Sequence, residues 1–229
     1  MIEVASDVWI VDGGPVNFYG FPYPTRSVVV RLPNRQLWIW SPVVLHESLR
    51  HEVDALGDVA HLVSPNKLHH LFLGDWHETY PEARLWGPLS TIQKRKDLNF
   101  EPPLTDFAPV AWSDQIEQFW LCGSPLLDEI VFFHRPSKTA IFADSCQTLT
   151  ETFLHTHWSR WKRTIARLWK ITDGFAPLEW RLSWIRRRAD RERLHRLLAL
   201  QPQRVIVAHG DWQSSDGVAF IEKSFRWLL

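Results

Sequence analysis

The 229-residue sequence is short of several things, and each shortage closes off a class of function. Two cysteines, Cys122 and Cys146, are too few for a disulfide framework, so a reduced, cytoplasmic setting is expected. Charge of one sign is not in excess: 26 Lys and Arg balance 26 Asp and Glu. No global field therefore steers the chain toward nucleic acid or a membrane surface. The start, Met1-Ile2-Glu3-Val4, lacks the basic and apolar regions of a secretory signal. No apolar run approaches the roughly 20 residues that span a bilayer. A Gly-x-Ser-x-Gly elbow and a glycine-rich phosphate loop are also missing, which leaves serine-nucleophile and phosphate-cradle chemistry with little support.

What is there is apolar, aromatic and punctuated. Fourteen tryptophans imply a large aromatic core or interface. The first hundred residues read as strands with interspersed helices. Val8 to Val11 is a strand stopped by Asp12-Gly13-Gly14, and Phe18 to Pro24 reads as an aromatic, Pro-broken loop. Ser27 to Leu32 and Gln36 to Trp40 flank Pro33-Asn34-Arg35, a hairpin signal. Leu45, Leu49, Val53 and Leu56 have helical spacing. Strands follow at Val59 to Val63, Arg84 to Trp86, Ile116 to Cys122, Glu129 to His134, Thr139 to Ala143 and Arg204 to Ala208.

Three of these strands end in residues with metal-ligand chemistry. Val63-Ser64-Pro65-Asn66-Lys67-Leu68-His69-His70 places two imidazoles after a strand that Pro65 terminates. Ile141-Phe142-Ala143-Asp144 ends in a carboxylate, and Val207-Ala208-His209-Gly210 in an imidazole. His69, His70, Asp144 and His209 together would suit Zn²⁺, Fe²⁺ or Mn²⁺. Adjacent residues on a regular element point different ways, so His69 and His70 can both bind only if the backbone turns between them. The blander reading makes His70 a hydrogen-bonded core histidine, Asp144 a loop brace and His209 a turn residue.

From His157 to Arg196 the chain carries twelve Arg and Lys against four Asp and Glu, interleaved with tryptophans. Two amphipathic helices with Trp packed inward and Arg solvated explain this pattern without a ligand. The competing reading is a homodimer or surface contact through these Trp/Arg-rich helices, with no sequence-specific nucleic acid expected.

Strands in two groups, each followed by helices, suggest a layered α/β sandwich. Four stretches carry a more specific resemblance: Phe18 to Arg26, Pro65 to His70, Gly123 to Leu127, and Val131 to Pro136, with Ala208-His209-Gly210-Asp211 as a fifth. With these, the chain resembles the metallo-β-lactamase fold superfamily, and within it an uncharacterised metallo-hydrolase-like branch, a domain of unknown function. The resemblance implies a four-layer αββα sandwich over residues 1–229, with a basic, Trp-rich helical insertion at about 149–200. It also implies a His-x-His-x-Asp-His motif, which this chain meets only in part. With His70 at the last position, His69 replaces the aspartate, and Lys67 and Pro65 replace the first two histidines. A shift of one residue puts His69 last and Asn66 at a first-site position. In the first of these registers the first metal site is lost, since Cys122-Gly123-Ser124-Pro125 also offers no histidine where a third ligand is expected. The second site keeps candidates in His69, His70, Asp144 and His209.

Two expectations follow. One is a mononuclear metal-dependent hydrolase of a small ester, thioester, lactone or amide, with Lys67 or Arg26 holding the substrate's negative charge. The other is a non-catalytic binding or scaffolding module whose metal site is degenerate and holds nothing.

Overall fold

A computed structural model describes residues 1–229. Six strands form the first sheet in chain order: β1 (Ile2–Ala5), β2 (Val8–Phe18), β3 (Phe21–Arg31), β4 (Gln36–Trp40), β5 (Asp58–Val63) and β6 (Arg84–Trp86). The first four are antiparallel, whereas β4, β5 and β6 run parallel. Parallel neighbours need crossovers. Helices α1 (Glu47–Leu56) and α2 (Leu73–Thr79) supply them. The helix α3 (Leu89–Lys94) follows β6. The second sheet contains β7 (Ile116–Leu121), β8 (Glu129–His134), β9 (Thr139–Phe142) and β10 (Arg204–Val207), in the order β10-β9-β8-β7. Only its β9–β10 pair is parallel. Between β9 and β10 lie α4 (Glu151–His157), α5 (Arg160–Trp169), α6 (Leu178–Leu182) and α7 (Arg187–Ala199), and α8 (Gly217–Phe225) follows β10.

Alternation along the strands sorts side chains into layers. Val28, Val30, Trp38 and Trp40 of the first sheet meet Ile130, Phe132, Ile141 and Ile206 of the second between the sheets. The opposite faces carry Leu37, Ile39 and Leu62, covered by Leu49, Val53 and Trp76 of α1 and α2, and Phe119, Phe133 and Val205, covered by Trp184, Leu194 and Phe225. The result is the αββα sandwich expected from the sequence. No helix is long and apolar enough to cross a membrane.

One expectation fails. Asp12-Gly13-Gly14 does not stop β2, and Phe18 to Pro24 is not a loop. The chain continues as one long hairpin, with Phe18 opposite Phe21 and a two-residue turn at Tyr19-Gly20. Both turn residues have positive φ (47° and 84°), the backbone of a tight primed turn that matches strand twist. A register shift between Gly13 and Val16 absorbs the glycines. Pro22 and Pro24 are tolerated because β4 pairs only with Val28 to Arg31, leaving that part of β3 an edge.

The Trp-rich helices mostly pack inward. Trp158, Trp180 and Trp184 are buried, and Trp158 donates its indole N–H to the Pro22 carbonyl at 2.6 Å, tying α4 to the hairpin. Trp161 departs from the pattern and is exposed. Several arginines here also have partners: Arg193 forks onto Asp106 and Asp190, and Arg167 onto Glu151.

Candidate metal centre

The parallel strands β4, β5, β9 and β10 deliver their carboxyl-terminal ends to one edge of the sandwich, where open α/β sheets commonly place ligands. Three of the four expected ligands meet there. One donor atom each from His69, Asp144 and His209 lies within 4.8 Å of the others. His69 Nε2 is 3.1 Å from Asp144 Oδ2, and His209 Nε2 is 3.2 Å from Asp144 Oδ1. Asp144 and His209 are buried (7% and 6% exposed), and His69 is partly buried.

The imidazoles are held from behind. His209 Nδ1 lies 2.7 Å from the Pro24 carbonyl, and His69 Nδ1 lies 2.7 Å from Ser41 Oγ. A carbonyl only accepts, so His209 Nδ1 carries the hydrogen and donates it. In the neutral ring, Nε2 is then a lone pair aimed at a carboxylate. That arrangement is repulsive unless a cation lies between them, either a second proton or a metal ion. A ligating histidine anchored through its other nitrogen is the usual support of a metal site. Donors bound at roughly 2.0–2.1 Å to one ion, at angles of 90–110°, stand about 2.9–3.4 Å apart; each imidazole stands at such a distance from its own Asp144 oxygen, and the three donors lie within 4.8 Å of one another. The donor set therefore fits a divalent ion with three protein ligands and open positions.

The loop bearing Asp144 is fixed by a residue the sequence reading passed over. Glu129, fully buried at the start of β8, accepts from the backbone N–H groups of Ala143, Asp144 and Ser145 and from the Ser145 hydroxyl. Burial, then Asp144, pushes its pKa up to about 7 against the pull of those bonds. At Asp144 burial alone would also raise the pKa, but the two imidazoles outweigh it and hold the carboxyl well below the usual range. Asn66 Nδ2 donates to Asp144 Oδ2 at 2.8 Å, while Asn66 Oδ1 accepts from the Leu68 and His69 N–H groups. Tyr23 sets its ring edge against His209, and Trp40 stacks on His69.

Two expectations are corrected. His70 does not join the cluster: its Nδ1 faces the Arg95 guanidinium at 3.4 Å, and its carbonyl accepts from Arg95 at 2.9 Å. Burial, then Lys94 and Arg95, lowers its pKa to about 4. Adjacent side chains on this turn diverge, so only one of the pair reaches Asp144. Arg26 is not free to hold substrate. It is 7% exposed, donates Nε to Asp12 at 2.7 Å, and donates to the Val207 and Gly210 carbonyls at 2.9 and 2.6 Å. It clamps the His209 loop to the hairpin. Gly210 completes the clamp, since at φ 110° a Cβ there would lie 1.9 Å from the Thr148 carbonyl. Lys67 is partly buried, and its carbonyl accepts from Lys94.

Ser41, Glu129 and Tyr23 are the supporting residues missed from sequence. Only Glu129 left a signal, as a lone acid opening the apolar run Glu129-Ile130-Val131-Phe132-Phe133.

Solved structures agree with this architecture. The DIM-1 metallo-beta-lactamase exposed to ceftazidime superposes with a TM-score of 0.64 at 17% identity, over 96% of this chain and 93% of that one. A metallo-beta-lactamase from Pontibacter korlensis gives 0.60 at 14% identity, over 98% and 97%. One from Hirschia baltica gives 0.57 at 10%, over 96% and 95%. The chain has the metallo-β-lactamase fold. No protein-family model and no curated protein sequence matches it.

Proposed function

We propose that the protein is a mononuclear metal-dependent hydrolase of a small ester, thioester, lactone or amide, with His69, Asp144 and His209 as ligands. The observation that carries this reading is His209, whose Nδ1 hydrogen is committed to Pro24 and whose Nε2 lone pair faces a buried carboxylate. A Zn²⁺, Fe²⁺ or Mn²⁺ ion held there supplies Lewis acidity and an activated water.

The chain's own residues do the rest. Ser41 and the Pro24 carbonyl orient the two rings, and Glu129 holds the Asp144 loop rigid. Asn66 takes a first-site position of the superfamily motif once His69, not His70, is placed last, and its amide donates to Asp144 Oδ2. An amide nitrogen there is a donor, not a metal ligand, which supports a single ion rather than two. Lys67, two residues before His69, is the cation offered to the substrate's negative charge. Beside it Lys94 has its pKa lowered by burial and then by Lys67, so two ammonium groups lie on this flank.

The burial of Asp144 and His209 supports a second reading, in which the fold persists as a binding module and the centre is structural. Reconstitution with each metal, followed by a panel of small esters, thioesters, lactones and amides, separates the two. Metal-dependent turnover that falls about a hundredfold or more in His209→Ala is expected. A chain with a full equivalent of ion and no turnover above background would overturn the hydrolase and leave the binding module.

A further inference from the structure

The strands that deliver the metal centre have another end. At the starts of β4, β9 and β10 lies a cavity of about 490 Å³, a volume typical of small-ligand sites. Polar and charged side chains dominate its lining, with Ala5, Leu32, Pro33 and Pro136 as the apolar part. Strands of four or five residues at roughly 3.3 Å per residue put it about 15 Å from the imidazole cluster. The two are separate sites.

Charge in the cavity is one-sided. Arg31, Arg35, Lys138 and Arg204 line it with a single carboxylate, Asp7. Asp7 is used by Arg31, whose Nη2 lies 2.6 Å away. Arg204 donates to the Ser137 carbonyl at 3.0 Å, and Arg35 reaches the Leu56 carbonyl only at 3.5 Å. Neither these two nor Lys138 has a carboxylate partner. In a chain with no net charge, this local excess of cations is built by the fold.

A histidine at the same cavity adds an acceptor to these cations. His134, at the end of β8, lines the cavity yet is only 3% exposed. Its Nδ1 lies 2.7 Å from Ser137 Oγ, which donates to Thr139 Oγ1, which in turn donates back to the Ser137 carbonyl. Because the Ser137 hydrogen is committed to Thr139, His134 Nδ1 must donate. Nε2 is thereby left as a lone pair with no protein partner. Burial lowers the His134 pKa to about 4, with Asp7 opposing, which keeps that lone pair free at neutral pH.

We propose that this cavity binds a small phosphate monoester. Arginine forks and a lysine suit the doubly charged phosphoryl oxygens, and three of the cations need not leave a carboxylate to reach them. The His134 Nε2 lone pair accepts from a hydroxyl on the adjoining carbon skeleton. A carboxylate would answer fewer of the cations, and an apolar ligand none.

The test is calorimetric titration of the metal-loaded protein with inorganic phosphate and with ribose 5-phosphate, at low salt in a non-phosphate buffer. Saturable binding is expected for both, tighter for the sugar phosphate. Binding weakens by about tenfold or more in the double variant Arg35→Gln/Lys138→Gln, which alters only surface cations, and is unchanged in His209→Ala. His134→Phe weakens the sugar phosphate as well. Should that variant fail to fold, the surface pair still decides. No saturable binding at tens of millimolar would overturn the proposal. So would binding that survives the double variant, or binding lost in His209→Ala, which would place the phosphate at the metal centre.

Discussion

The two ends of the same strands are electrostatic opposites. Where β5, β9 and β10 finish, two imidazoles converge on a buried carboxylate. Where β4, β9 and β10 begin, four cations gather around one carboxylate that is already paired. The composition, 26 charges of each sign, conceals both. Net charge describes long-range steering; it says nothing of sites in which a few residues are sorted by the fold. The ends also differ in support. The first is braced by Glu129, Arg26, Asn66 and Ser41, the second chiefly by the His134-Ser137-Thr139 chain.

The largest effect should come from removing the main brace of the first end. Glu129→Leu leaves three backbone N–H groups and a hydroxyl buried without an acceptor, a loss of about 4 kcal/mol in urea unfolding. A loss of less than about 1 kcal/mol would mean the loop re-forms its bonds elsewhere. Arg26→Met should cost less, about 2 kcal/mol, because the partner Asp12 is exposed and only two carbonyls lose a donor. Its metal affinity should fall while phosphate binding at the other end holds, and loss of both would contradict the separation of the two ends. Ser41→Ala should leave stability nearly unchanged but weaken metal binding about tenfold, by releasing the His69 ring. Competition with a chelator dye measures it.

The smallest effect is in the pH dependence of unfolding. Burial lowers His134 and His61 to about 4, Arg84 adding to it at His61. In the unfolded chain both titrate near 6.5, at roughly the ordinary imidazole value. Between those limits the unfolded state binds more protons, so stability falls as pH drops from about 6.5 to about 4. Glu129 at the other end runs oppositely. Raised to about 7, it keeps a proton that the unfolded carboxyl releases above about 4.5, so its contribution falls as pH rises. Urea midpoints across this range should lose part of their acid-side slope in His134→Phe. An unchanged slope would show that His134 is protonated in the folded state.

Much of this was legible in the sequence where local pattern and tertiary need agree. Apolar runs closed by Pro65, Ala143 and Ala208 are strand ends in the fold, and they converge as their residue types suggested. Orientation was not legible. His69 and His70 differ by one position on a turn, and only the backbone decides which faces Asp144. The hairpin was misread because Gly13, Gly14, Pro22 and Pro24 usually interrupt strands, and their tolerance here rests on an edge position and a register shift that sequence does not display. Arg26 has the composition of a substrate anchor, yet its contacts come from residues 181 and 184 positions away. The cationic cavity draws on Arg31, Lys138 and Arg204, which no linear motif unites.

Metal content tests the central claim most directly. Protein purified without chelator or a histidine tag, then reconstituted with Zn²⁺, Fe²⁺ or Mn²⁺, should hold about one equivalent per chain. That equivalent should be lost in Asp144→Ala and His209→Ala while both stay folded, and kept in His70→Ala. No bound metal with any of the three ions, or metal lost in His70→Ala and retained in His209→Ala, would contradict the account.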